Sequence, residues 1–504
     1  MNDTSAPGNN TRMLTAPSGE QGQGGQPGDN TRSATITHTG ATTYSSDAET
    51  AEATYSSDQD NESALLVTGG LVALDAPTIN KTGSASGDDA DFYGINAAAL
   101  ATSGATLNIS GGTITTDGTH ANAVFSYGTG TTINIAETTI TTKSDTSGGI
   151  MVTGGGTLTA DNLTIDTSGR SSAAIRSDRG GGTINVTGGT YVTHGIGSPA
   201  VYSTANINVK DASLISTSSE GVVIEGKNSV TLEQVILTDT NNQLNGQSET
   251  YKNIFIYQSM SGDATEGTGT FSAKNSTITT NQGDHFFITN TTATINLEHT
   301  DFIQNDQSGS FLRAATGKWG TSGQNGGQVT VNAKNQEITG DFNIDAASSL
   351  TLNLEASYVR AAFLGDGAKT LNISKDSIMV LTADSHLTEL TNFASDNSNI
   401  YANGHKLYVG STEVTNLNQS AAPASFITKN SDEITTIGIE TIAVTEQPTG
   451  FPLWGWFAIG GGVLVLAFIG ALVAYLCRKR KQSGPDFGTG HDSVAGDDYN
   501  SLNK

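Results

Sequence analysis

Polar and apolar residues alternate through most of this chain, and one phrase of the alternation keeps returning. It reads Thr183-Ile184-Asn185-Val186, with a further apolar residue, Tyr191, seven places after Ile184. Close copies open at Thr106, Thr132, Thr294, Thr330, Thr351 and Thr370, and looser ones are anchored at Leu158, Ile207, Leu232 and Phe271. A period of two puts Ile184 and Val186 on one face of a strand and Thr183 and Asn185 on the other. The anchors Leu107, Ile133, Leu158, Ile184, Ile207 and Leu232 stand 26, 25, 26, 23 and 25 residues apart. So regular a spacing marks a solenoid, whose units bury their apolar faces only by stacking on neighbours. Each unit has room for three short strands, such as Ala173 to Ile175, Thr183 to Thr187 and Thr190 to Thr193, with glycines between them. Three strands and three bends per turn predict a parallel β-helix. Leu232 breaks the rule, because Asp239 stands seven places on and Leu237 is expected to turn inward instead.

The repeats resemble those of adhesin-like right-handed parallel β-helix proteins of the bacterial cell surface, within the pectate-lyase-like solenoid superfamily. Tyr44-Ser45-Ser46-Asp47, Phe125 to Thr132 and Ser171 to Ser177 carry the likeness, which covers roughly residues 43–410. The resemblance implies an all-β, right-handed parallel β-helix ectodomain and a place at the cell surface, with little to say about a ligand.

Other stretches divide the chain. Residues 1–62 are poor in apolar side chains and read as a disordered, low-complexity region, with Tyr-Ser-Ser-Asp repeated at Tyr44 and Tyr55 near the start of the solenoid. The β-helix is expected over 63–410, and a cap and stalk over 411–450. Leu453 to Cys477 is a run of 25 residues without a charge, long enough to cross a bilayer as one transmembrane α-helix. Trp454 and Trp456 suit the interface, and Arg478-Lys479-Arg480-Lys481 follows at once. The transmembrane segment is placed at 451–477 and a basic cytoplasmic tail at 478–504, with the ectodomain outside. That topology implies a signal peptide upstream of Met1. Glu446 to Gly450 resembles a wall-sorting signal without its Leu and spacer, a weaker alternative to membrane anchoring.

Composition narrows the function. Lys plus Arg is 24 and Asp plus Glu is 49, a net charge of −25, which argues against nucleic acid as a partner. The single cysteine, Cys477, leaves the solenoid without disulfides. The period lengthens in two places, so loops are expected at 241–268 and 304–327, and binding tends to fall to loops on a rigid scaffold. The second loop holds Lys318 and Trp319, the candidate ligand-binding residues. Trp319 is suited either to stacking on a sugar ring or to capping a gap in the rod.

No catalytic residues, metal ligands or cofactor follow from the sequence. Asp88, Asp89 and Asp91 form the densest acidic group, read as a solvated loop in preference to a loose calcium site. Asp284 and His285 are read as polar edge residues, and the Thr-x-Asn rows as hydrogen-bonded ladders in preference to an ice-binding face. The chain is therefore expected to be a non-catalytic, single-pass surface protein whose partners are glycans or host matrix proteins. A polysaccharide lyase or hydrolase, and a purely structural surface spacer, are the alternatives.

Overall fold

The computed structural model describes residues 36–244 and 250–430, all within one compact unit, Met1–Gly438. It is an all-β solenoid built from long parallel sheets. A first sheet of 13 strands, a second of 14 and a third of ten stack in sequence order, each strand pairing with its equivalent one turn away. At about 4.8 Å per turn the second sheet is about 60 Å long. Around Ile184 the three strands are Ile175–Ser177, Gly182–Thr187 and Thr190–Thr193. Ile184 pairs with Leu158 on one side and Ile207 on the other, fully buried, so the anchors form one interior file. Burying such a side chain contributes about 1.5–3 kcal/mol, available only because neighbouring turns supply both walls.

The anchor of the irregular turn is Val230, not Leu232. Val230 pairs with Ile207 and Phe271, and Leu237, seven places after Val230, pairs inward with Leu214 and Ile278. The rule of seven holds there once the register is known.

The corner between second and third sheets repeats an uncommon backbone. Ala76, Glu137, Asn162, Asp211, Gln234 and Asn275 all adopt positive φ, and Gly188 occupies the same place in its turn. Their N–H groups donate to carbonyls of the next turn, so the backbone ladder runs through the corner and offsets the left-handed strain. At Gly189 (φ 90) a Cβ would lie 2.3 Å from the Leu163 carbonyl, so only glycine fits.

Both ends differ from the sequence boundaries. The first turn begins at Gly40, not at 63: Gly40–Tyr44, Ala48–Ala51 and Thr54–Ser57 pair with the following turn. Tyr44 and Tyr55, from the repeated Tyr-Ser-Ser-Asp, both reach the interior with their hydroxyls 3.3 Å apart. Two tyrosines thus fill a turn that otherwise has few apolar residues. At the other end Thr412–Glu413 pairs antiparallel with Leu407–Val409, blunting the terminal edge. Residues 418–430 do not form a stalk but run back along the rod. Asn430 there hydrogen-bonds Asp301 and the carbonyls of Ser276 and His299.

The two lengthened periods are not single loops either. Each contains a regular first-sheet strand, Lys252–Tyr257 and Leu312–Ala314, so the extra residues divide to either side of it. Among the described residues no helix is long and apolar enough to cross a membrane. The predicted span 453–477, its flanks and tail, Cys477 and the sorting-like Glu446 to Gly450 lie outside the described residues.

Candidate functional site

Several strands of the first sheet, among them Ser63–Val67, Ala99–Ala101, Ile150–Thr153, Val222–Glu225 and Lys252–Tyr257, are buried on both faces. Their outward file runs Leu66, Leu100, Phe125, Met151, Arg176, Tyr202, Val223, Phe255, Phe287. The apolar first part is covered by the chain itself. The short helix Asp89–Tyr93 and the turn after it lie over the sheet there, and Leu66, Leu100, Phe125, Met151 and Ala97 form a separate buried cluster. Gly94, at φ 73, ends the helix where a Cβ would meet the Phe125 ring at 2.8 Å.

Polar clamps fix this cover. Asp91 accepts from Arg176 at 3.3 Å, His120 at 2.7 Å and Asn122 at 3.2 Å. The Phe92 carbonyl accepts from Thr153 at 2.6 Å, and that of Tyr93 from His38 at 2.8 Å. Burial alone would raise the Asp91 carboxyl, but Arg176 and His120 together hold it below the usual value. Asp91 is therefore not part of a solvated acidic loop, although Asp88 and Asp89 are exposed.

Beyond the cover, the outer face opens into a groove of two adjoining cavities of about 300 Å³ each, which share Gly197, Pro199, Tyr202 and Asp263. The first lies against Phe92, Arg176 and Asp178. The second is floored by Val223, Phe255 and Tyr257 and walled by Trp319. Phe255 and Tyr257 stack at 4.5 Å with an interplanar angle of 7°, and Trp319 tilts against Tyr257 at 4.6 Å. Asn325 holds the Trp319 loop by donating to the carbonyls of Gly317 and Trp319 at 2.6 and 2.5 Å.

Charges in the groove are organised in pairs. Glu225 accepts from Tyr202 at 2.7 Å, from Tyr257 at 3.0 Å and from the Ser259 hydroxyl. Burial and the adjacent carboxylate push both tyrosines well above their ordinary value, which keeps their O–H groups as donors. Glu220 pairs with the fully buried Lys252 at 2.8 Å. Arg179 reaches Asp263 at 2.7 Å and lies 3.9 Å over the Phe92 ring, joining the cover to the 258–267 loop. Asp178 accepts from Arg176 at 3.1 Å and from the Arg179 N–H at 2.9 Å, yet burial raises its carboxyl to about 6.

Of the sequence candidates, Trp319 forms a wall of the groove, half-buried, while Lys318 is exposed on the same loop and lines neither cavity. Asp284 and His285 are buried rather than edge residues. Asp284 pairs with Arg313 at 2.6 Å, and burial takes the His285 imidazole down to about 3. Tyr202, Glu225, Phe255, Tyr257 and Asp263 were not singled out by sequence. Ile254-Phe255-Ile256-Tyr257 is a continuous apolar run, and such a run conceals which residues face outward. The outer face of the second sheet is a ladder: Asn296, Asn332, Asn353 and Asn372 hydrogen-bond along it at 2.8–2.9 Å.

The fold defines a parallel β-solenoid with one aromatic groove on its first sheet among the described residues. No protein-family model, curated protein or solved structure matches the chain.

Proposed function

We propose that the chain is a single-pass protein of a bacterial surface whose right-handed β-helix is a non-catalytic binding rod, with a glycan as its ligand. The observation that carries this reading is the aromatic groove walled by Trp319. The short helix Asp89–Tyr93 covers Leu66 to Met151, whereas the cover over Val223, Phe255 and Tyr257 is the half-buried Trp319, and all four line an open groove. Flat rings beside hydrogen-bonding side chains suit a sugar, which has apolar C–H faces and a polar rim. Membrane anchoring through 453–477 rests on the uncharged run and the basic cluster after it. Lys318, on the rim loop, is assigned an outer contact at most.

One observation favours a hydrolase instead. Asp178 and Glu225 each stand three residues past paired positions, Ile175 and Val222, two turns apart. That separation is about 10 Å between backbones, near the range of inverting glycosidases. Against it, each carboxylate is already engaged by two or more donors. Full-length chain on an array of glycans and matrix proteins, with released reducing ends assayed, distinguishes the readings. Saturable glycan binding without product supports the rod. Product that disappears in Asp178→Asn supports the enzyme, and no binding at all leaves the spacer.

A further inference from the structure

We infer that the groove selects uncharged glycan chains and rejects polyuronates and other anionic glycans. The inference rests on the proposed glycan reading and adds the substrate class. Its grounds are which charges line the two cavities and how each is already used.

The lining contains six carboxylates, Asp88, Asp91, Asp178, Glu220, Glu225 and Asp263, against two basic side chains, Arg176 and Lys252. Both basic groups are spent, and so is Arg179 beside them, which pairs with Asp263 at 2.7 Å. Arg176 bridges Asp91 and Asp178, while Lys252 is paired with Glu220 and donates to the Thr250 carbonyl at 3.1 Å. Recognition of a uronate, sulfate or phosphate calls for a cation with donors turned to the ligand. Here an anion would instead meet acidic walls across an open, solvent-filled groove, where repulsion is strong at low salt and screened at high salt.

What the walls offer is acceptors. A carboxylate accepts only, and the Tyr202 and Tyr257 hydroxyls spend their single proton on Glu225. A complementary ligand therefore brings many O–H donors and no negative charge. The half-buried Trp319 ring, backed by Phe255 and Tyr257, then takes its C–H faces. From Arg176 to Phe255 the groove spans four strands, about 14 Å, so two or three sugar rings fit in line with the rod.

The test is a titration of the full-length chain with neutral hexose oligosaccharides and with galacturonate oligosaccharides of equal length. We expect the neutral chains to bind at least about tenfold more tightly at low salt. The gap should narrow when ionic strength rises from about 0.01 M to about 1 M, because the screening length falls from about 30 Å to about 3 Å. It should narrow also in Asp263→Asn, and in Asp88→Asn, whose exposed position makes it the safer variant for folding. Galacturonate binding as tight as neutral binding, or a preference indifferent to salt and to both variants, overturns the inference while leaving glycan binding intact. Absence of binding to either set overturns the glycan reading itself.

Discussion

Asp91 lies 3.3 Å from Arg176, 85 residues later in the chain, and that contact fastens the covering segment across the first sheet. The same guanidinium holds Asp178 at 3.1 Å, so one cation serves two buried carboxylates. They separate in response. Asp91 is lowered by Arg176 and His120 against its burial, and Asp178 is raised to about 6 chiefly by burial.

The pH dependence follows from these directions. An acid held low contributes stability above its unfolded value, and Asp91 loses that contribution as pH falls below about 4. An acid held high contributes below its unfolded value, so the Asp178 share is lost between about 4 and about 6 as pH rises. His120, raised mainly by its hydrogen bond to Asp91, loses its share as pH climbs through its elevated value. The cover should be firmest near pH 4–5. Amide-exchange protection of residues 88–94, corrected for intrinsic rates, should decline from pH 5 to pH 8, and less steeply in Asp178→Asn. Flat protection over that range contradicts the clamp.

Asp239 offers a second test. It occupies an interior file of hydroxyl residues, between Ser216 and Thr280. It is fully buried, with no side-chain donor on its carboxylate among the described residues and only the backbone N–H groups of Asn241 and Asn281 near it. Burial holds its carboxyl well above the ordinary value, so the fold loses this contribution as pH rises from about 4. Asp239→Thr should therefore stabilise the protein at pH 7 by about 1–3 kcal/mol, with a gain that shrinks toward pH 4. Thermal unfolding at both pH values decides it, and a lower midpoint at pH 7 counts against the argument.

Much of this rod was legible because second- and third-sheet strands are polar on one side. Thr183 and Asn185 face out while Ile184 faces in, and a period of two reveals it. The first sheet was not legible in the same way, since Phe255 is covered outside and Ile254 inside. Leu232 and Val230 share a face two residues apart, so alternation alone cannot choose between them; pairing with Ile207 does. Trp319 stood out as a lone tryptophan in a glycine-rich stretch. Its partners Tyr257 and Phe255 come from a strand more than 60 residues earlier, a proximity that only the stacking of turns creates.

The asparagine ladder makes a graded prediction. Asn332 donates to Asn296 and accepts from Asn353, whereas the side chain of Asn372 makes a single ladder bond, to Asn353. At about 0.5–1.5 kcal/mol per bond, Asn332→Ala should cost roughly twice what Asn372→Ala costs in denaturant unfolding. Equal losses would show that the ladder does not act bond by bond.

The returning strap at 418–430 should depend on a few side chains. Tyr358 donates to the Pro423 carbonyl at 2.9 Å and packs edge-on to Phe426, and Lys429 pairs with Glu337 at 3.0 Å. Phe426→Ala should speed limited proteolysis within 418–430 without altering cleavage of the rod. Unchanged cleavage would mean that the strap is held elsewhere.

The groove walled by Trp319 over Phe255 and Tyr257 is the proposed binding surface. The most direct measurement is the affinity of full-length wild type, Trp319→Ala and Asn332→Ala for one neutral oligosaccharide. Loss of the Trp319 ring should weaken binding about tenfold, roughly 1.4 kcal/mol, while Asn332→Ala, on the second sheet and outside the groove, leaves it unchanged. Equal affinities in all three, or an equal loss in both variants, would contradict the account.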